Sequence, residues 1–408
     1  MKLMLKLAWR NLWRNKRRSF IVIAAIVSGL WGMVFMIAVS EGMIDEMVKT
    51  SIESGVGHVQ IHRKGFMDSI DVHKNIRDPN YFIKKIEGTP HLAAYAERIK
   101  VMGLVSSPEA SSGVLIWGID PTAEPKVSAV KRWLVEGQFL TGTHGEIYIG
   151  KRLAEKLNVG IDDKIVIMAQ GLMSEIGSAA YRVAGIFEST SPEYDKFNVY
   201  INIGDAGDLL SMGNRVSEID IIADDINNVD ALVSALKPKL EVSDLEVLSW
   251  KEVLPVVVEM LSMFKSFNYV IYIIVAIAMA FGIVNTILMS VLERTREIGI
   301  LMAIGTRPRQ VFSEVLWEGL LLGAIGVVVG WAFTGLCYAV VSKTGIDLSM
   351  WAESLKYMGG IGAILYPVIT LNNVIESTVA VFCAAALSSL YPAIKIMRLA
   401  PVKAIRSV

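Results

Sequence analysis

"SVLERTREIGILMAIGTRPRQVFSE", residues 290–314, places arginines at 294, 296, 307 and 309 and glutamates at 293 and 297 between two of the most apolar runs in the chain. Residues 266–292 on one side and 319–342 on the other hold no charge. An apolar helix of about 20 residues rises about 30 Å, which matches the hydrocarbon core of a bilayer. Two such windows joined by a short charged segment are two membrane spans linked at one face of the membrane. Within the link, a short helix over 296–304 would set Ile298, Leu301 and Met302 on one side, rimmed by Glu293, Arg294, Arg296 and Glu297. Gly305 is placed to end that helix and Pro308 to open the next. An apolar knob with a charged rim suits a groove on a partner, and a helix lying on lipid has the same pattern.

Two further uncharged windows, 19–40 and 377–394, bring the expected spans to four, in keeping with a 53% hydrophobic chain of 408 residues. The first follows a basic segment, but its apolar run is too long for a secretory signal and Glu41 and Asp45 follow it directly. Basic residues crowd the stretch before Ser19, the 293–310 link and the tail, whereas the link between the last two spans holds only Lys343 and Lys356. The positive-inside rule therefore predicts cytoplasmic termini. The expected organisation is a cytoplasmic segment 1–18, span 19–40, an extracytoplasmic domain 41–262, span 263–292, a cytoplasmic link 293–310, span 311–342, an outer link 343–376, span 377–394 and a cytoplasmic tail 395–408.

"MKLMLKLAWRNLWRNKRR" spaces Lys2, Lys6, Arg10 and Arg14 by four and reads as an amphipathic helix on the inner membrane surface. Residues 41–262 read as α+β. Strand candidates are "GHVQIHRKG", "YRVAGIFE", "FNVYINI" and "SEIDIIAD", and "EIYIGKRLAEKLNVGIDDKIVIMAQ" holds a short helix, Lys151–Leu157, closed by Gly160. Asp225 is placed to cap the helix in "DINNVDALVSALKPKL". The apolar "MGGIGAILYPVI", 358–369, is too short to span and fits a re-entrant or interfacial segment, or a loop buried on the outer domain. Cys337 and Cys383 both fall in spans, so the outer domain folds without disulfides.

No catalytic constellation emerges. "GEIYIGKR", 145–152, approaches a phosphate-binding loop, but Arg152 stands where a magnesium-binding hydroxyl is needed. His58 and His62 read as solvated strand histidines, with no third metal ligand nominated. A net charge of zero gives no argument for a nucleic-acid partner.

"ERTREIGILMAIGTRPRQV", together with "LYPAIKIMRLAPVKAIR" (390–406) and "LAWRNLWRNKRRSF", resembles the signatures of the FtsX/MacB-type ABC transporter permeases. "SGVGHVQIHRKGF" and "EIYIGKRLAEKLNVGIDDKIVIM" are similar to the lipoprotein-releasing LolC/LolE-type members. The resemblance implies a bacterial inner-membrane permease with no cofactor of its own. It would work as a homodimer or with a related permease, beside two copies of a cytoplasmic ABC ATPase that binds ATP and magnesium.

Glu293, Arg294, Arg296, Glu297, Ile298, Leu301, Met302 and Gly305 would then form the coupling helix. Met33, Phe35, Met36, Val39, Met260, Met263 and Phe264 would border a vestibule for lipoprotein or other lipidated cargo in contact with membrane lipid, or else simply pack or face lipid. Leu172, Met173 and Ile176, in the loop of "MAQGLMSEIGSAAYRVAGIF", would touch a periplasmic carrier, or fold down on their own domain. The rival implications are MacB-like efflux of a drug, peptide or haem, and an FtsX-like scaffold that activates a cell-wall hydrolase.

Overall fold

The computed structural model describes residues 2–240, 244–351 and 364–397. Four helices are long and apolar enough to cross a membrane: α2 (Lys16–Ser51), α9 (Pro255–Glu293), α11 (Pro308–Thr344) and α12 (Leu371–Met397). The helices outrun their apolar windows because helical hydrogen bonding continues wherever one face stays buried. In α2 the added "EGMIDEMVKTS" buries Met47 and Val48 before a π-helical turn, Ile52–Val56, ends it.

The chain divides into two compact units. The helical unit comprises Met1–Ile44, Leu261–Asp347 and the described part of Ile364–Val408. In it, α1 (Lys2–Arg14) and α10 (Thr295–Ala303) join the four long helices. Its core gathers Ile26, Leu30, Met33 and Ile37 of α2, Ile283 and Ile287 of α9, Val311 and Leu322 of α11, and Val381 and Ala385 of α12. Helices in lipid approach closely through small residues. A Cβ at Gly319 would collide with Ser389 of α12, and one at Gly326 with Ile26 of α2.

Two segments expected from the sequence fall partly outside the described residues. Residues 398–408, with most of the basic tail and the end of the 390–406 motif, lie outside the described residues, as do 352–363. Of the expected re-entrant segment 358–369, residues 364–369 are described, and Ile364–Leu365 forms a two-residue strand, β12, against β11 (Ile346–Asp347).

The α/β unit comprises Asp45–Met260 and the described part of Leu348–Ala363. Its strands are β1 (Val59–Arg63), β2 (Leu92–Ser106), β3 (Ser111–Ile119), β4 (Leu134–Gly137), β5 (Glu146–Gly150), β6 (Lys164–Gln170), β7 (Ile176–Phe187), β8 (Asn198–Asn202), β9 (Glu218–Ala223) and β10 (Leu245–Ser249). They form one sheet in the order β10-β1-β9-β2-β3-β8-β5-β7-β4, and β6 bridges β2 and β7. That bridge closes β2-β3-β8-β5-β7-β6 into a ring, whose interior holds Val105, Ile116, Ile147, Ile167, Val183 and Ile201. A second core stacks Trp117, Tyr148, Phe187 and Tyr200.

Around the sheet lie α3 (Pro79–Ile86), α4 (Lys151–Leu157), α5 (Pro192–Phe197), α6 (Ile203–Leu209), α7 (Val229–Leu240) and α8 (Trp250–Val253). Asp225 accepts the Asn227 N–H at 2.8 Å and caps the turn leading into α7. At the end of α4, however, the left-handed residue is Asn158, not Gly160, because an asparagine side chain tolerates φ of 51°.

Candidate functional site

The 290–314 segment folds as the end of α9, the short α10 and the start of α11. At the carboxy-terminal end of α10, Gly305 takes φ of 107°, its N–H donates to Met302 O at 3.2 Å and the Thr306 N–H donates to Leu301 O at 3.0 Å. This double reversal satisfies two orphan carbonyls and needs a residue without a Cβ at position 305. Pro308 then starts α11, and Gln310 Oε1 accepts the Arg307 N–H at 2.9 Å.

The face that α10 presents differs from the one the sequence suggested. Ile298 is 3% exposed and packs with Met302 into the helical core, and Gly299 is buried too. The apolar side chains left outside are Ile300, Leu301 and, just past the helix, Ile304, which is 76% exposed. With Arg296 and Glu297 they form one stripe at helical spacing. Ile298 and Met302 are turned inward, where they share one apolar cluster with Val291 and Val311.

The expected polar rim also splits. Arg294 is 12% exposed and reaches Glu314 at 3.0 Å and Glu318 at 3.8 Å on α11, as well as Glu297 at 3.5 Å. It links α10 to α11 and does not stand free in solvent. Glu293 pairs with Arg18 of α2 at 2.5 Å, and Glu297 with Arg14 of α1 at 3.1 Å. The hydrogen bond from Arg14 holds the Glu297 carboxyl below its ordinary value.

Helix α1 is drawn into the same cluster. Ala8 and Leu12 are buried, and Asn11 Nδ2 donates to Glu314 Oε1 at 2.6 Å. The amino-terminal helix thus packs on protein through one face, with Trp9 and Trp13 left exposed, and is more than a membrane-surface helix. The uncharged window begins at 319, just past Glu314 and Glu318, and so leaves out the partners of Arg294 and Asn11. Two carboxylates spaced i, i+4 at the mouth of an apolar helix were themselves the signal, since such charges are retained only when paired.

The other expected sites fare unevenly. Met33 is fully buried in the helical core, whereas Phe35 is half-buried, stacks on Trp31 at 5.6 Å and borders a small cavity with Thr334 and Cys337. Met36 and Met263 are exposed, while Val39, Met260 and Phe264 are half-buried. In the β6–β7 loop Met173 is 74% exposed and Leu172 is half-buried, and Ile176, the first residue of β7, is 76% exposed.

Of the two histidines, His62 is buried with Nδ1 3.1 Å from Glu246, whereas His58 is half-buried at a cleft and accepts the Ala223 N–H, with burial lowering its pKa. Among the described residues, no group of three His, Cys, Asp or Glu side chains converges as metal ligands would. At Gly150 the strand β5 enters α4 directly, and the Asp195 backbone occupies the space a phosphate would need.

A second charge cluster, unforeseen from the sequence, lies inside the α/β unit. Arg98 is fully buried and reaches Glu124 at 2.7 Å, Asp220 at 3.0 Å and Glu218 at 3.4 Å, and Lys100 reaches Glu218 at 2.6 Å. Arg98 Nη1 also donates to Gly55 O at 2.6 Å, in the turn that ends α2. Burial works against the Arg98 charge, but the three carboxylates outweigh it and keep the guanidinium protonated. Burial pushes Asp220 up to about 8, and neither of its oxygens has a well-aligned hydrogen-bond donor.

One amino-terminal span, an inserted α/β domain, three further spans and a short helix that offers an apolar stripe between the second and third together define a transporter permease. Residues 19–239 match the MacB-like periplasmic core domain, and residues 269–401 match the FtsX-like permease C-terminal region. The chain belongs to this family and is an ABC transporter permease of the FtsX/MacB type.

Among its relatives is the lipoprotein-releasing system transmembrane protein LolC of Xylella fastidiosa, 24% identical with 96% of each chain covered. LolC of Neisseria meningitidis is 25% identical over 78% of this chain and 77% of its own. The pyoverdine export ATP-binding/permease protein PvdT of Pseudomonas syringae is 24% identical over 98% of this chain, which spans 58% of that protein's length.

Proposed function

We propose that the chain is the permease subunit of an inner-membrane transporter in which a separate cytoplasmic ABC ATPase drives extraction of lipoproteins or other lipidated cargo from the outer leaflet. The reading rests on one observation above all. Helix α10 is fastened to the helical unit by Ile298, Met302 and Arg294, while Ile300, Leu301 and Ile304 stay uncovered. A helix tied to the protein on one side and apolar on the other is a lever end that a partner can grip. Burying each methylene of an acyl chain is worth about 0.8 kcal/mol, so removing cargo from a bilayer needs a coupled energy source.

Similarity along almost the whole of the Xylella LolC supports lipidated cargo. The match to PvdT, which takes in 98% of this chain and 58% of PvdT, favours, as the second reading, export of a small molecule from the periplasmic side. Reconstitution with the ATPase and an acylated protein separates the two. Release of the acylated protein into solution, dependent on ATP, is expected; ATPase stimulation by a small amphiphile with no release would favour export. Leu301→Glu with Ile304→Glu is expected to abolish stimulation while leaving membrane insertion intact. Stimulation equal to that of the parent protein would remove α10 from the coupling role.

A further inference from the structure

The ring β2-β3-β8-β5-β7-β6 is not hydrogen-bonded along its whole circumference. Strand β7 pairs with β6 from Ile176 to Arg182, but its ladder with β5 begins only at Arg182, opposite Glu146. On the β5 side, the Arg182 N–H donates to Gly145 O at 2.8 Å, just before β5 begins at Glu146. In an antiparallel pair, successive residues aim their backbone groups alternately at one neighbour and the other. The Glu175 carbonyl accepts from Gly171 within the β6–β7 turn, which directs odd-numbered residues toward β6. The backbone groups of Ile176, Ser178 and Ala180 therefore face the β5 side, where no strand among the described residues meets them.

That edge is open to a cleft of about 510 Å3 between β7 and the end of α6. Its wall carries Asp208, exposed and without an ion pair among the described residues, and Glu175. Asp205, also on the wall, is already taken by His144 and the Gly145 N–H. The opposite face of the same strands leaves Leu104, Val166 and Ile176 exposed. Natural proteins usually blunt or cover a free edge, because unpaired N–H and C=O groups form a template for another strand.

We propose that this seam is a strand-addition site. An extended segment of a partner protein, with basic and apolar side chains in alternation, pairs with Ile176, Ser178 and Ala180 along the line that β5 vacates. Its basic residues face Asp208 and Glu175, and its apolar residues continue the exposed sheet face. Main-chain pairing supplies affinity in such complexes, and the alternate side chains supply specificity. The site is independent of what the transporter carries.

The test uses the full chain in lipid nanodiscs and a fluorescent peptide of alternating valine and lysine. Binding by anisotropy is expected, with slowed amide exchange at Ile176, Ser178 and Ala180. Methylating every second peptide nitrogen, so that the pairing edge loses its N–H groups, should weaken binding at least about tenfold, as loss of several net hydrogen bonds requires. Ser178→Pro should do the same, since its N–H faces outward and the β6 ladder does not use it. Asp208→Asn with Glu175→Gln should weaken the lysine peptide but not one with glutamine in place of lysine. Equal affinity of methylated and unmethylated peptides, or unchanged exchange at the three amides, would overturn the proposal without involving any variant of the protein.

Discussion

Each of the two units has an arginine at the centre of a charge cluster, and the two work under different conditions. Arg98 has no exposure and is enclosed by Glu124, Glu218 and Asp220 inside the α/β unit. Arg294 keeps 12% of its side-chain surface, faces Glu314 and Glu318, and sits beside the uncovered stripe of α10. A buried ion cluster is costly to break, because removing one partner strands the others in a medium that cannot solvate them. A cluster at a solvent boundary can be rearranged at lower cost. Arg98 is thus a fixed strut at the end of α2, and Arg294 is an adjustable joint at the helix proposed to meet the ATPase.

The contrast is broken most severely by Arg98→Ala. It leaves three buried carboxylates facing only Lys100 and should cost about 3–5 kcal/mol, read as a drop in the thermal midpoint of the purified protein. A midpoint unchanged from the parent would show that the cluster is not structural.

Next in size is the pH response of the same cluster. Asp220 holds its proton more tightly folded than unfolded, so the folded state binds the extra proton from the ordinary aspartate range up to about 8. Its contribution to stability is complete at low pH and is lost as pH rises toward 8. Asp220→Asn should flatten that decline between pH 5 and 8, about where the linkage acts. A decline of the same slope in the variant would place the titration elsewhere.

A smaller effect on stability, but a larger one on coupling, is expected from Arg294→Gln. The variant should fold, yet lose ATPase stimulation by about tenfold, within the ~1–3 kcal/mol usual for coupling between sites. By comparison, the exposed Arg14–Glu297 pair should contribute about 1 kcal/mol or less when Arg14 becomes alanine. Equal effects of Arg294→Gln and Arg14→Ala on stimulation would erase the distinction between joint and surface pair.

Much of this architecture was legible in the chain. Uncharged windows mark the four helices, and β-branched clusters mark β1 and the β5-α4-β6 unit. The hairpin of β2 and β3 escaped notice because "LAAYAERIKVMGLVS" places Glu97, Arg98 and Lys100 inside a strand. Such charges argue against burial until their partners, 26 and 120 residues away, are known. The same limit hid the joint. Helical spacing groups Ile298 with Leu301 and Met302, but spacing alone cannot say which flank meets the rest of the protein. The fold turned Ile298 and Met302 inward and gave the open face to Ile300, Leu301 and Ile304.

Site-directed photocrosslinking along α10 in the assembled transporter tests that last assignment most directly. Probes at Ile300, Leu301 and Ile304 should each attach to the ATPase, whereas a probe at Ile298 should capture only this chain. Attachment of the ATPase from Ile298, or from none of the four positions, would contradict the account.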